Sequence, residues 1–169
     1  MKYAFMSFST PELSLGEMIA VAERYGYDGL EPRLYAGHAH GVEVSATPEQ
    51  RTEIREAFAA AGVDLACLAT SLTYADPAQS EGVIRQTHQR IDLAGDVGAP
   101  RLRVFGGRIP PGVGRERAIA ELVDSLGTVA QHAAQRDVTL CLETHDDWCD
   151  PRHVVAVMER VDRPAVGVN

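Results

Sequence analysis

Three glycines set the frame of this chain. Gly26, Gly62 and Gly98 stand 36 residues apart, each where a helix-like pattern gives way to a short apolar run. Arg136-Asp137 occupies the same kind of junction 38 residues later. A period of this length, holding one strand and one helix, marks repeated βα units. Strands joined through helices run parallel, with right-handed crossovers. Two architectures satisfy that pattern, a doubly wound sheet and a (β/α)8 barrel. A dinucleotide site finds no support: no Gly-x-Gly-x-x-Gly follows the first strand, and Gly106-Gly107, Gly112 and Gly114 do not open a helix in the required way.

The units follow in order. Residues 3–8 read as a strand, and Ser14-Leu15-Gly16-Glu17 is a capping box that opens a helix with Met18, Ile19, Val21 and Ala22 inward. Residues 27–31 form a second strand, and 34–46 a loop holding His38 and His40. Thr47-Pro48-Glu49-Gln50 starts a second helix, with Ile54, Ala57, Phe58 and Ala61 at helical spacing. Residues 63–70 read as the third strand. Asp76-Pro77 caps a third helix with Val83, Ile84, Ile91, Leu93 and Ala94. Residues 102–105 make a fourth strand, and a helix from about Arg115 buries Ile119, Leu122, Val123, Leu126 and Val129. After a fifth strand, Asp150-Pro151 caps a fifth helix with Val154, Val155, Val157 and Met158. Residues 165–169 begin a sixth strand.

The fifth strand carries the chemistry. Val138-Thr139-Leu140-Cys141-Leu142 is an apolar, partly β-branched run that ends in Glu143-Thr144-His145-Asp146-Asp147. Strand side chains alternate faces. Leu140 and Leu142 therefore suit packing on helices, while Thr139, Cys141 and Glu143 share the other face. A carboxylate there is costly to bury unless a cation or a metal pairs it. In the fourth strand, Leu102 and Val104 share one face and Arg101 and Arg103 the other. Arg103 then points inward and needs a carboxylate, which Glu31 or Glu143 supplies. Polar groups also end the other strands: Ser7 and Ser9, Glu31 and Arg33, Thr70 and Ser71. Barrel active sites gather at that C-terminal face.

Composition narrows the classes. With 24 acidic and 16 basic residues, formal charge −8 and no Lys/Arg run, nucleic acid and anionic membrane are poor partners. The N-terminal stretch reads as neither a signal peptide nor a membrane span. Three cysteines, two inside strand-like runs, suit reduced thiols and a cytoplasmic location. Cys141 and Cys149 lack the second pair that a zinc knuckle requires.

The chain resembles the xylose isomerase-like TIM-barrel family, the sugar phosphate isomerase/epimerase group. The matching pieces are Gly26-Tyr27-Asp28-Gly29-Leu30-Glu31, Gly37-His38-Ala39-His40-Gly41-Val42, Leu102-Arg103-Val104-Phe105-Gly106-Gly107 and Leu142-Glu143-Thr144-His145. The resemblance implies an α/β (β/α)8 barrel and a divalent metal (Mn²⁺, Mg²⁺, Co²⁺ or Zn²⁺) held at its mouth. It implies Glu143 as the first ligand and as a participant in proton transfer next to a carbonyl. His145, Arg103, Glu31, His38 and His40 are the candidates for contact with a sugar or keto-polyol substrate. A metal that polarises the carbonyl and a carboxylate that takes the proton suit isomerase or epimerase chemistry. Inosose or dehydroshikimate dehydratases and endonuclease IV-like enzymes share the barrel, and the acidic charge argues against DNA.

The departure from the family is one of extent. A closed barrel of this kind needs eight units and about 250 residues. Residues 1–169 hold five units and the start of a sixth strand in a single domain, so the expectation is a C-terminally truncated barrel. Its metal site then cannot be completed by this chain alone. A non-catalytic half-barrel that assembles with a partner, or with itself as a homo-oligomer, is the alternative.

Overall fold

The computed structural model describes residues Met1–Asn169. Strands and helices alternate: β1 (Ala4–Met6), α1 (Leu15–Tyr25), β2 (Gly29–Glu31), α2 (Pro48–Ala61), β3 (Asp64–Leu65), β4 (Leu68–Thr73), α3 (Ser80–Val97), β5 (Arg101–Phe105), α4 (Arg115–Gln135), β6 (Thr139–Glu143), α5 (Pro151–Val161) and β7 (Val166–Val168). All strand pairs are parallel. β1, β2 and β3 form one sheet and β4 to β7 another, in sequence order. A bridge between Arg33 and Ala69 ties the two into one arc. Consecutive helices pack side by side outside it. This is a partial TIM barrel.

The glycine period has its expected cause. Gly26, Gly62 and Gly98 all end helices in the left-handed conformation, at φ +72°, +65° and +81°. At the fourth junction Asp137 takes that conformation instead, at φ +56°. Ser14 and Thr47 both form complete capping boxes. One apolar cluster of 36 buried residues fills the space between sheet and helices, with Leu102, Val104, Leu140 and Leu142 fully buried on the helix side.

Four expectations are corrected. The first strand stops at Met6, because Ser7–Ser9 turn into a 3-10 helix where the Ser7 hydroxyl takes the Arg33 backbone N–H. The run 63–70 is not one strand: it breaks at Ala66-Cys67, and pairing moves from β2 to β5 across the break. Asp76 caps a short 3-10 turn at Pro77–Gln79, and α3 begins only at Ser80. Val155 faces outward and is half exposed, while Val154 and Val157 carry the packing of α5.

Candidate functional site

Alternation along β5 and β6 sends Arg103 and Glu143 into the barrel from neighbouring strands. Their strands are in register, with Arg103 beside Cys141 and Phe105 beside Glu143. Arg103 is 4 % exposed. Its Nη1 donates to Glu143 Oε2 at 2.6 Å, and its Nε lies 3.5 Å from Glu31 Oε1. Both carboxylates named from the sequence therefore flank the one guanidinium. A single positive charge serves two carboxylates, and the contact to Glu31 is the poorer. Arg103 Nε and Glu31 Oε1 are both buried without a hydrogen-bond partner. Burial pushes the Glu31 carboxyl above its usual value; Arg103 opposes that shift and Glu143 adds to it.

A cleft of about 590 Å³ opens over this triad at the C-terminal strand ends. Phe8, Arg33, Ser71, Arg103, Glu143 and His145 are among the groups that line it. β6 ends at Glu143, so His145 does not continue the strand face. It reaches the cleft from the following turn, edge-on to Phe105 at 5.1 Å and with Nδ1 3.2 Å from Asp146 Oδ2. Phe105 also lies against the Arg103 guanidinium, 4.4 Å from ring centre to Cζ.

The two loop histidines serve the backbone. His40 is 4 % exposed. Its Nδ1 accepts from the Val42 N–H at 3.0 Å, and its Nε2 donates to the Arg33 carbonyl at 3.2 Å. Both ring nitrogens are spent, and burial holds its pKa below the ordinary histidine value. His38 Nδ1 is hydrogen-bonded to Ser7 Oγ at 2.8 Å, and the ring meets Phe8 and His40 edge-on. Neither histidine joins the Arg103 triad. Arg33 and Phe8, which do reach the cleft, are the groups that the sequence reading left without a role. Arg33 stood among the polar strand ends as the signal for it, whereas Phe8 gave none.

Trp148 is fully buried and donates Nε1–H to the Gly107 carbonyl at 2.7 Å. It anchors the loop after β6. The buried Cys67 thiol is pushed up to about 12, so it is not a nucleophile. At the opposite strand ends a cleft of about 490 Å³ is lined by Lys2, Asp64 and Arg101, where Lys2 and Asp64 pair at 2.6 Å on the surface.

Nowhere do three or more His, Cys, Asp or Glu side chains gather as a metal cluster. Glu143 is engaged by Arg103, and the second carboxylate lies on the other side of that guanidinium. These residues do not by themselves fit a divalent ion.

The family model described as xylose isomerase-like TIM barrel matches residues 19–169. No curated protein matches the sequence. Among solved structures, the fold is similar to the "probable 3-DHS dehydratase AsbF" of Bacillus anthracis, at 20% identity, TM-score 0.80, covering 100% of this chain and 62% of that one. It is similar to a D-psicose 3-epimerase crystallised with D-fructose, at 17% identity and TM-score 0.79, covering 99% of this chain and 62% of that one. It is also similar to an IOLI protein with a bound zinc atom, at 18% identity and TM-score 0.78, with the same 99% and 62% coverage. The chain thus spans about 62% of the length of these relatives. At such identities the likeness shows the fold.

Proposed function

The chain belongs to the xylose isomerase-like TIM-barrel family, and from that we propose that it is the N-terminal part of a metal-dependent isomerase or epimerase acting on a sugar, sugar phosphate or keto-polyol. The observation that carries this reading is the Glu31–Arg103–Glu143 triad beneath a polar cleft at the catalytic end of the strands. The chemistry is removal of a proton from the carbon next to a carbonyl. Glu143 takes that proton. Arg103 orients Glu143 through the 2.6 Å bond and sets positive charge beside the oxygen where negative charge builds. His145, which lines the cleft, holds a substrate hydroxyl and Asp146 steadies its ring, while Glu31 shares the Arg103 charge from the far side of the guanidinium.

A bound metal would polarise the carbonyl. Glu143 is the one group here that we assign as a ligand. On this reading the remaining donors would come from further barrel units. Three free cysteines, two of them buried, suit a reducing, cytoplasmic setting. The likeness in fold to a dehydratase supports a second reading, dehydration of a keto-polyol, which begins with the same proton removal.

The test is solvent exchange. The protein extended through the remaining barrel units, supplied with Mn²⁺ in D₂O, should place deuterium on the carbon next to the carbonyl of D-fructose or a comparable ketose. Glu143→Gln should slow that exchange by about 10²–10⁴-fold. Loss of water from the labelled substrate would select the dehydratase. A protein that labels no keto-polyol overturns both readings.

A further inference from the structure

We propose that the mouth of this barrel selects a substrate bearing an oxyanion, a carboxylate or a phosphate, which binds the guanidinium of Arg33 beside the open face of Phe8. The inference rests on the reading that this cleft holds the substrate. Its ground is the contrast between the Arg33 backbone and side chain. The Arg33 N–H donates to Ser7 Oγ at 2.9 Å, and its carbonyl accepts from His40 Nε2 at 3.2 Å. Ser7 is fully buried and in turn bonded to His38, and Arg33 is bridged to Ala69. Four residues therefore fix one backbone position.

The charge on that fixed position is left over. No carboxylate lies within 4.0 Å of the Arg33 guanidinium. Nη2 donates to the neutral Ser71 hydroxyl at 3.1 Å, Nε is buried without a partner, and Nη1 donates to no protein group. Arg103, in the same layer of the barrel across Ala69, has two carboxylates. In a chain of net charge −8, an arginine in the cleft without an acidic partner is aimed at a ligand. Phe8 stands beside it, with the Arg33 Cζ 5.4 Å from its ring centre and 64 % of the residue exposed. An apolar ring left open at a polar mouth suits the C–H face of a small ring or polyol.

Calorimetric titration of two matched pairs tests this: quinate against myo-inositol, and D-fructose 6-phosphate against D-fructose. The anionic member of one pair should bind about tenfold or more tighter than its neutral partner, as a charge-assisted contact implies. The first pair reports a carboxylate and the second a phosphate. Arg33→Gln should erase that preference by weakening the anionic member far more than the neutral one, Arg33→Lys should keep part of it, and Phe8→Ala should weaken both members. Unchanged near-ultraviolet circular dichroism from Trp148 certifies the fold of each variant. Anions that bind no tighter than their neutral partners, or a preference that survives Arg33→Gln, overturn the proposal. Arg33-dependent binding without deuterium exchange sinks the isomerase reading alone. Deuterium exchange on ketoses, together with anions that bind no tighter than their neutral partners, sinks this one alone.

Discussion

At the residue scale the Arg103 triad decides how the barrel interior holds its buried charge. Removing one member of a buried ion pair costs more than the pair contributes, because the remaining charge is stranded. Arg103→Met should lower unfolding stability by about 3 kcal/mol, since Glu31 and Glu143 then face each other without a cation. Adding Glu31→Gln and Glu143→Gln to that variant should recover most of the loss in urea titrations. An additive triple variant would contradict the shared charge. His40 gives a second prediction, with a sign. Burial lowers its pKa in the folded protein, so the folded state binds that proton more weakly than the unfolded chain. Its stabilisation is complete above the unfolded value of about 6.5 and drains away as pH falls below it. Glu31, raised by burial, has the opposite slope at lower pH. The urea midpoint should therefore fall from pH 7.5 to 5.5, and His40→Gln should flatten that fall; His38, 5.8 Å away, calls for the His38→Asn control. Arg103 and its partners were legible because strand alternation is local. The duties of His38 and His40 were not, since which loop atoms are buried depends on Ser7 and Arg33 arriving from other strands.

At the scale of elements, the loop after β5 and the turn after β6 lock together. Trp148 donates to the Gly107 carbonyl, the Ile109 N–H donates to Asp147 Oδ2 at 2.8 Å, and Arg115 Nη1 donates to the Asp147 carbonyl at 2.8 Å. Gly106 is glycine because a Cβ would sit 2.3 Å from the Trp148 ring. Gly106→Ala should cost about 2–3 kcal/mol by overpacking and shift the emission of this sole tryptophan to the red. Emission unchanged from the parent protein would show that the contact relaxes elsewhere. The sequence set Gly106-Gly107 directly after the fourth strand, and clearance for an indole 42 residues beyond Gly106 has no local signature. The same distinction explains the other elements. Caps at Ser14, Thr47 and Asp150 are chemistry within one turn and read correctly. The break at Ala66-Cys67 is set by β3 and β4 pairing with different neighbours, and nothing in a run of apolar residues records it.

At the scale of the whole molecule, the 36-residue period announced parallel βα units because each unit writes its own caps. Closure is written nowhere locally: it requires that two edges meet. β1 pairs only with β2, and β7 only with β6. Both edges carry unpaired backbone groups, and Tyr3 and Val168 beside them are 59 % and 51 % exposed. Such edges template pairing with another chain unless they are covered. Neither edge ends in proline, and Lys2, the charge nearest β1, is drawn away to Asp64 at 2.6 Å. Two outcomes cover these edges: self-association of this chain, or further βα units in the same chain. Residues 1–169 alone should therefore sediment faster with rising concentration and bind an apolar-surface dye. Extension through the remaining units should abolish both effects and raise the thermal midpoint. On the proposed reading the same extension would complete the site around Glu143, and stability and metal affinity should then rise together. A chain 1–169 that stays monomeric and dye-free would mean that the arc needs no closing partner.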